Sequence, residues 1–171
     1  MNTSLRIFEK TNPIMGTQAT DSIMHGVNPF LQAAALLDQG KSFIFARIVG
    51  VVGTAPRSVG ACCMIFPDGR IVGTLGGGLL EHRILQQAPE VFASQKSKIV
   101  KFRLRGRLVE ESEMLCGGDV DVYMEPLNPE AGLTQQVFRG AARLIEENRR
   151  GTMLTEIADG ADARCCTGRA L

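Results

Sequence analysis

ACCMIFPDGRIVGTLGGGLLEHRILQQA, residues 61–88, holds two strand patterns, a tight turn and a helix start in one uninterrupted run. Apolar residues flank Pro67-Asp68-Gly69, where proline presets one backbone angle and glycine accepts the left-handed one. CMIF and RIVGTL therefore read as the arms of an antiparallel hairpin. LLEHRILQQA, after Gly76-Gly77-Gly78, reads as a helix that stops near Pro89. The glycine triplet thus opens a helix. Helix N-termini expose N–H groups without intrahelical acceptors, and glycine lets an anion approach that backbone closely. A phosphate or carboxylate suits the corner; a bare strand-to-helix bend that needs positive φ suits it equally.

Upstream of this run, Asn28 and Pro29 mark a helix start and Gly40 its end, with FLQAAALLDQ between. SFIFARIVGVVG is rich in β-branched and aromatic residues and reads as a central strand. Downstream, KIVKFRLRGRL alternates, with Val100, Phe102 and Leu104 on one face and Lys101, Arg103, Arg105 and Arg107 on the other. DVDVYMEPL is a further strand that ends at Pro126. LTQQVFRGAARLIEENRR is an amphipathic helix stopped by Gly151, and TMLTEIA is a last strand. The expected fold is α/β, with α+β as its variant: a layered domain with a mixed sheet of about six strands and three main helices. Residues 1–27 are expected to form an N-terminal arm, 28–158 the domain and 159–171 a flexible C-terminal tail.

Composition excludes several function classes. The 171-residue chain is 44% hydrophobic and 22% charged, with a formal net charge of +1. Such a balance offers no electrostatic footprint for nucleic acid or a membrane surface. No apolar run approaches the ~20 residues of a membrane span. MNTSLRIFEKTNPIMGTQAT lacks the apolar heart of a signal peptide, so a cytoplasmic location is expected. The five cysteines, Cys62, Cys63, Cys116, Cys165 and Cys166, form no C-x-x-C. A disulfide framework and a structural zinc site are both disfavoured.

Three turn-like segments carry the chemistry: GTAPRSVGA (53–61), GTLGGGLLE (73–81) and CGGDV (116–120). Each adjoins a predicted strand end, where α/β folds collect their sites. Arg57, on a proline-stiffened loop, suits bidentate phosphate recognition, and a solvated surface arginine is the alternative. Ser58 could donate a hydroxyl or simply satisfy the turn. Glu81 could carry a proton, or could be there for the helix dipole alone. Cys116 is either a reactive thiol on a glycine turn or a small buried hydrophobe. His25 and His82 have no partners at metal spacing, so no metal ligands and no catalytic residues are assigned. Phosphate-loop, nucleophile-elbow and zinc-protease motifs are absent, and GTLGGG has the wrong spacing for a dinucleotide fingerprint.

Taken together, the three segments resemble the XdhC/CoxI family, accessory factors of xanthine dehydrogenase and related molybdenum hydroxylases. The likeness runs through GTAPRSVGACCMIFPDGRIVGTLGGGLLE and resumes at CGGDVDVYMEPL, covering about residues 30 to 127. It implies a maturation factor that binds molybdenum cofactor (molybdopterin type) as cargo and helps insert it into an apo-hydroxylase, without being the redox enzyme itself. The implied cofactor-binding residues are Pro56, Arg57, Ser58, Gly60, Gly76, Gly77, Gly78, Glu81, Cys116, Gly117 and Gly118. The implied partners are the molybdenum hydroxylase apo-enzyme and a cysteine desulfurase; a homodimer is left open. Two departures stand out. Leu79 occupies a position where many members carry Cys or His, and the second, dinucleotide-fold domain of many members does not follow here. Two other readings compete: a small hydrolase or transferase acting on phosphate esters or nucleotides with Glu81 as base, and a structural module that docks a partner.

Overall fold

The structure is a computed structural model; it describes residues 28–103, 118–155 and 157, and the backbone of 165–168. Helix α1 (Pro29–Asp38) leads into strand β1 (Phe43–Val52), followed by β2 (Cys62–Ile65) and β3 (Ile71–Gly73). Helix α2 (Gly78–Ser94), strands β4 (Lys98–Arg103) and β5 (Asp119–Leu127), helix α3 (Gly132–Glu146) and strands β6 (Thr152–Thr155) and β7 (Cys165–Gly168) complete the order.

Five strands form one sheet in the order β3-β2-β1-β5-β4. All four of its ladders are antiparallel. The layered α/β arrangement with three main helices is as expected, but the mixed sheet of about six strands is corrected to five antiparallel strands and a separate β6–β7 pair. One hairpin fixes the direction of one ladder only, and the remaining directions depend on long-range pairing that no local pattern encodes.

Strand alternation sorts β1 onto two cores. Ile44, Ala46 and Ile48 point to the face that α2 covers, where Leu80, Ile84, Ala88 and Val91 meet Phe102, Val120, Val122 and Met124. Phe43 and Phe45 point to the opposite face, against Ala33, Leu37 and Phe138 of α1 and α3. The result is three layers: α2, the sheet, and the α1–α3 pair. Phe45 and Phe138 meet edge to face with ring centroids 5.5 Å apart, the arrangement that aromatic quadrupoles favour.

Local punctuation explains most element ends. Asn28 Oδ1 accepts from the Phe30 amide at 2.9 Å, and Pro29 opens α1. At the hairpin tip, Asp68 Oδ1 accepts from the Arg70 amide while the Gly69 amide donates to Phe66 O. The expected stop near Pro89 is corrected: α2 runs through Pro89 to Ser94. Interior proline costs about 3 kcal/mol, but Ala88 and Val91 extend the buried stripe on either side of it, and Pro89 itself faces solvent. Asn148, at φ +52°, takes the left-handed position after α3, three residues before Gly151. Within the stretch read as a flexible tail, Cys165–Gly168 pairs with β6. Leu104, Arg105, Arg107 and the arm lie outside the described residues.

Candidate functional site

Alternating strand directions place the ends of β1 and β3 and the starts of β2 and β5 at one end of the sheet. Loop 53–61, the glycine corner and the approach to β5 gather there. Two glycines report how closely. A Cβ on Gly76 would lie 2.7 Å from Pro56 Cγ and 2.8 Å from Pro56 Cβ. A Cβ on Gly118 would lie 2.2 Å from Thr54 O and 2.7 Å from Thr54 N. Only glycine permits such approaches. The proline ring of the first loop therefore rests on the glycine corner, and the backbone before β5 rests on that same first loop.

The corner has an internal anion. Glu81 Oε1 accepts from Thr74 Oγ1 at 2.6 Å, from the Gly77 amide at 3.0 Å and from the Leu75 amide at 3.1 Å. The Gly76 amide donates to Thr74 Oγ1 at 3.0 Å. Glu81 thus reaches back from the first turn of α2 and caps its own approach, a relative of the capping box in which an acidic side chain satisfies the N-cap amide. It also places negative charge at the positive end of the helix. By position, the amides of Gly78 and Leu79 remain without intrahelical acceptors. Gly76, Gly77 and Gly78 all have positive φ, from +59° to +124°.

Arg57, Ser58 and Gly60 are exposed on the first loop, with Pro56 half-buried beneath them. Arg57 has no acidic partner among the described residues. The structure brings Pro56, Arg57, Gly76, Gly77, Gly78, Glu81 and Gly118 to one end of the sheet, with Ser58 and Gly60 on the same loop. Cys116 and Gly117 lie outside the described residues. No group of three or more His, Cys, Asp or Glu suited to a metal ion occurs among the described residues. No helix there is long and apolar enough to cross a membrane.

The two described cysteines differ by strand alternation. Cys63 points into the α2-side core, and burial, reinforced by the nearby Glu81 charge, pushes its thiol far above the ordinary thiol range. Cys62 is half-buried on the other face; burial raises its thiol pKa, and Arg47, its cross-strand neighbour, opposes that rise.

A second polar feature escapes the sequence reading. Arg47 Nη2 donates to Glu125 Oε2 at 2.7 Å between β1 and β5, with the Glu125 side chain 1% exposed. The guanidinium also lies 5.5 Å from the Phe45 ring centroid and 5.7 Å from that of Tyr123, and reaches Thr155 Oγ1 of β6. Burial raises the Glu125 carboxyl above its ordinary pKa, and Arg47 partly offsets that rise. The available signal is one charge of each sign within two apolar strands, Arg47 in SFIFARIVG and Glu125 in VYMEPL.

Residues 36–103 match the model of the XdhC and CoxI family. Over 98 residues the chain is 31% identical to the uncharacterized protein YqeB of Escherichia coli (strain K12), covering 57% of this chain and 18% of that protein. It is 29% identical over 98 residues to a probable xanthine dehydrogenase subunit of Bacillus subtilis (strain 168), covering 56% and 30%. The chain thus spans less than a third of these relatives' lengths. A crystal structure of a xanthine dehydrogenase from Bacillus halodurans superposes with a TM-score of 0.64 at 21% identity, covering 78% of this chain and 40% of that one. That likeness is one of fold.

Proposed function

From a chain that carries an XdhC and CoxI family domain at residues 36–103, we propose an accessory role in the maturation of a xanthine dehydrogenase-like molybdenum hydroxylase, with molybdenum cofactor as cargo. The observation that carries the reading is the convergence of three separated loops, Pro56 against Gly76 and Thr54 against Gly118. Chain segments well separated in sequence are packed so closely that a methyl group does not fit, at an end of the sheet with an exposed arginine. The name of the Bacillus subtilis relative supports the choice of client.

Molybdenum cofactor bears a phosphate and a soft, oxygen-sensitive metal–sulfur end. The donor set at this end of the sheet fits the phosphate. Arg57 offers a bidentate fork, and the amides of Gly78 and Leu79 offer first-turn donors. The amides of Leu75 and Gly77 are already taken by Glu81. In this reading Glu81 shapes the corner and Arg57 supplies the positive charge. Cys116 and Gly117 remain proposed for the metal–sulfur end, a cysteine desulfurase for sulfur supply, and a homodimer for the assembled state. The three hydrogen bonds that Glu81 Oε1 accepts tie it to the corner, and the reading of Glu81 as the base of a hydrolase has no further observation behind it.

The test is activation of a purified apo-hydroxylase by cofactor, with and without this chain. Faster loading with the wild type and loss of that effect in Arg57→Ala support the role. Loading rates independent of the chain contradict it.

A further inference from the structure

One half of the Glu81 carboxylate has no task in the corner. Among the described residues, every hydrogen bond to that group falls on Oε1, from Thr74 Oγ1, the Gly77 amide and the Leu75 amide. An ionised carboxylate has about four lone-pair sites, about two on each oxygen. Oε1 is therefore fully used, and the remaining acceptor capacity lies on Oε2. Donors fixed on one oxygen also hold the plane of the group. Glu81 is half-buried, and two of its donors are backbone amides of the corner itself. Oε2 is thus a preorganised acceptor, without the rotamer freedom of an ordinary surface glutamate.

A cation shares the corner. A Cβ on Gly76 would lie 3.7 Å from Arg57 Cγ, so the Arg57 side chain runs beside Gly76, whose neighbour Gly77 donates to Glu81. Arg57 and Glu81 form no ion pair among the described residues. Each has its own support: Glu81 its donors, and Arg57 a loop whose Pro56 ring rests on Gly76. Opposite charges held apart on one corner complement a ligand that carries an anionic group at one end and N–H donors at another. A bare anion would match Arg57 and be repelled by Glu81.

We infer that Glu81 Oε2 is a specificity contact for the cargo: it accepts from the N–H edge of a nitrogen heterocycle, while Arg57 takes the phosphate of the same ligand. The inference rests on the cofactor-cargo reading and sharpens it. Molybdenum cofactor carries its phosphate on a pterin, whose aminopyrimidine edge presents N–H donors. A site built around an acceptor rejects ligands that lack the donor.

The test compares the full chain, isotope-labelled, as wild type and Glu81→Gln, with molybdenum cofactor, free pterin and inorganic phosphate under anaerobic conditions. Glutamine keeps one oxygen for the corner donors and replaces the other with an amide N–H donor, which faces the ligand's donors unfavourably. Hydrogen exchange at Leu75 and Gly77 is expected to be unchanged. Cofactor and free pterin are expected to bind the variant at least about tenfold more weakly, as for loss of a charge-assisted hydrogen bond. Phosphate, relieved of a neighbouring like charge, is expected to bind the variant equally or up to about fivefold more tightly. Opposite signs for the two ligands separate a contact from a loosened corner, which weakens both. Equal binding of cofactor by wild type and variant would overturn the inference and leave carriage in place, with Oε2 a solvated oxygen. Weaker binding of phosphate and pterin alike, with faster exchange at Leu75 and Gly77, would reduce Glu81 to a capping residue. Wild type that binds neither cofactor nor pterin would overturn both readings. Glu81-dependent binding of pterin without binding of cofactor would support the contact and refute carriage.

Discussion

Gly118→Ala tests the packing that assembles the site. The new Cβ would lie 2.2 Å from Thr54 O, 2.7 Å from Thr54 N and 2.8 Å from Thr54 C. An ordinary contact begins at 3.4 Å, so one backbone must retreat by about 1.2 Å against packed neighbours. The obstructing atoms are backbone, so no rotamer change relieves the clash. Overpacking of this kind costs about 1–3 kcal/mol, occasionally more; at this distance the upper end applies, about 3 kcal/mol. For a chain of this size each kcal/mol lowers Tm by about 2–4 °C, so a fall of about 6–12 °C is expected in thermal unfolding followed by circular dichroism. Gly140→Ala is the matched control. A Cβ there meets nothing within 4 Å, and the residue is inside α3. Alanine in a helix interior is better than glycine by about 0.5–1 kcal/mol, so Tm should rise slightly. If Gly118→Ala melts with the wild type, the close approach of the two loops is refuted, and with it the assembled site.

Further expectations concern the charges. Glu81→Ala removes the acceptor for two amides and one hydroxyl and should cost about 1–2 kcal/mol, with faster hydrogen exchange at Leu75 and Gly77; unchanged exchange there would contradict the capping role. Arg47→Ala leaves Glu125 buried without its counter-charge and should cost about 3–5 kcal/mol in urea unfolding; a loss below about 1 kcal/mol would show that the pair is solvated. Glu125 has its folded-state pKa raised by burial, so the native state holds a proton that the unfolded chain has already released. Stability should therefore fall as pH rises from the ordinary value of 4.5 through the raised one. Glu125→Gln should abolish that decline, read as the urea midpoint against pH; a decline that persists in the variant assigns it to another group.

Elements with local signals are legible from the chain alone. Asn28 with Pro29, the Pro67-Asp68-Gly69 turn and the alternation through Phe102 each encode their structure within a few residues. The three-loop end is legible because GTAPRSVGA, GTLGGG and CGGDV each adjoin a strand end. What escapes the sequence depends on distant partners. Pro89 remains inside α2 because Ala88 and Val91 pack on the sheet, and helix-breaking preference yields to burial. Helix α3 ends at Glu146 and the left-handed turn after it falls on Asn148, a residue that visits that region more readily than most. Arg47 and Glu125 are 78 positions apart, so neither strand's pattern reveals the pair. Glu81 reads from sequence as base or dipole partner; its reach back to Leu75 and Gly77 needs the fold of the corner, since the spacing is one residue longer than a standard capping box.

The proposed role stands or falls on whether the three-loop end holds molybdenum cofactor. Anaerobic titration of the purified chain with that cofactor, wild type beside Arg57→Ala, decides the matter. The expected result is saturable one-to-one binding, weakened at least about tenfold in Arg57→Ala, as for loss of a charge-assisted hydrogen bond, with identical thermal unfolding of the two proteins. No binding by the folded wild type, or equal binding by the variant, would contradict the claim.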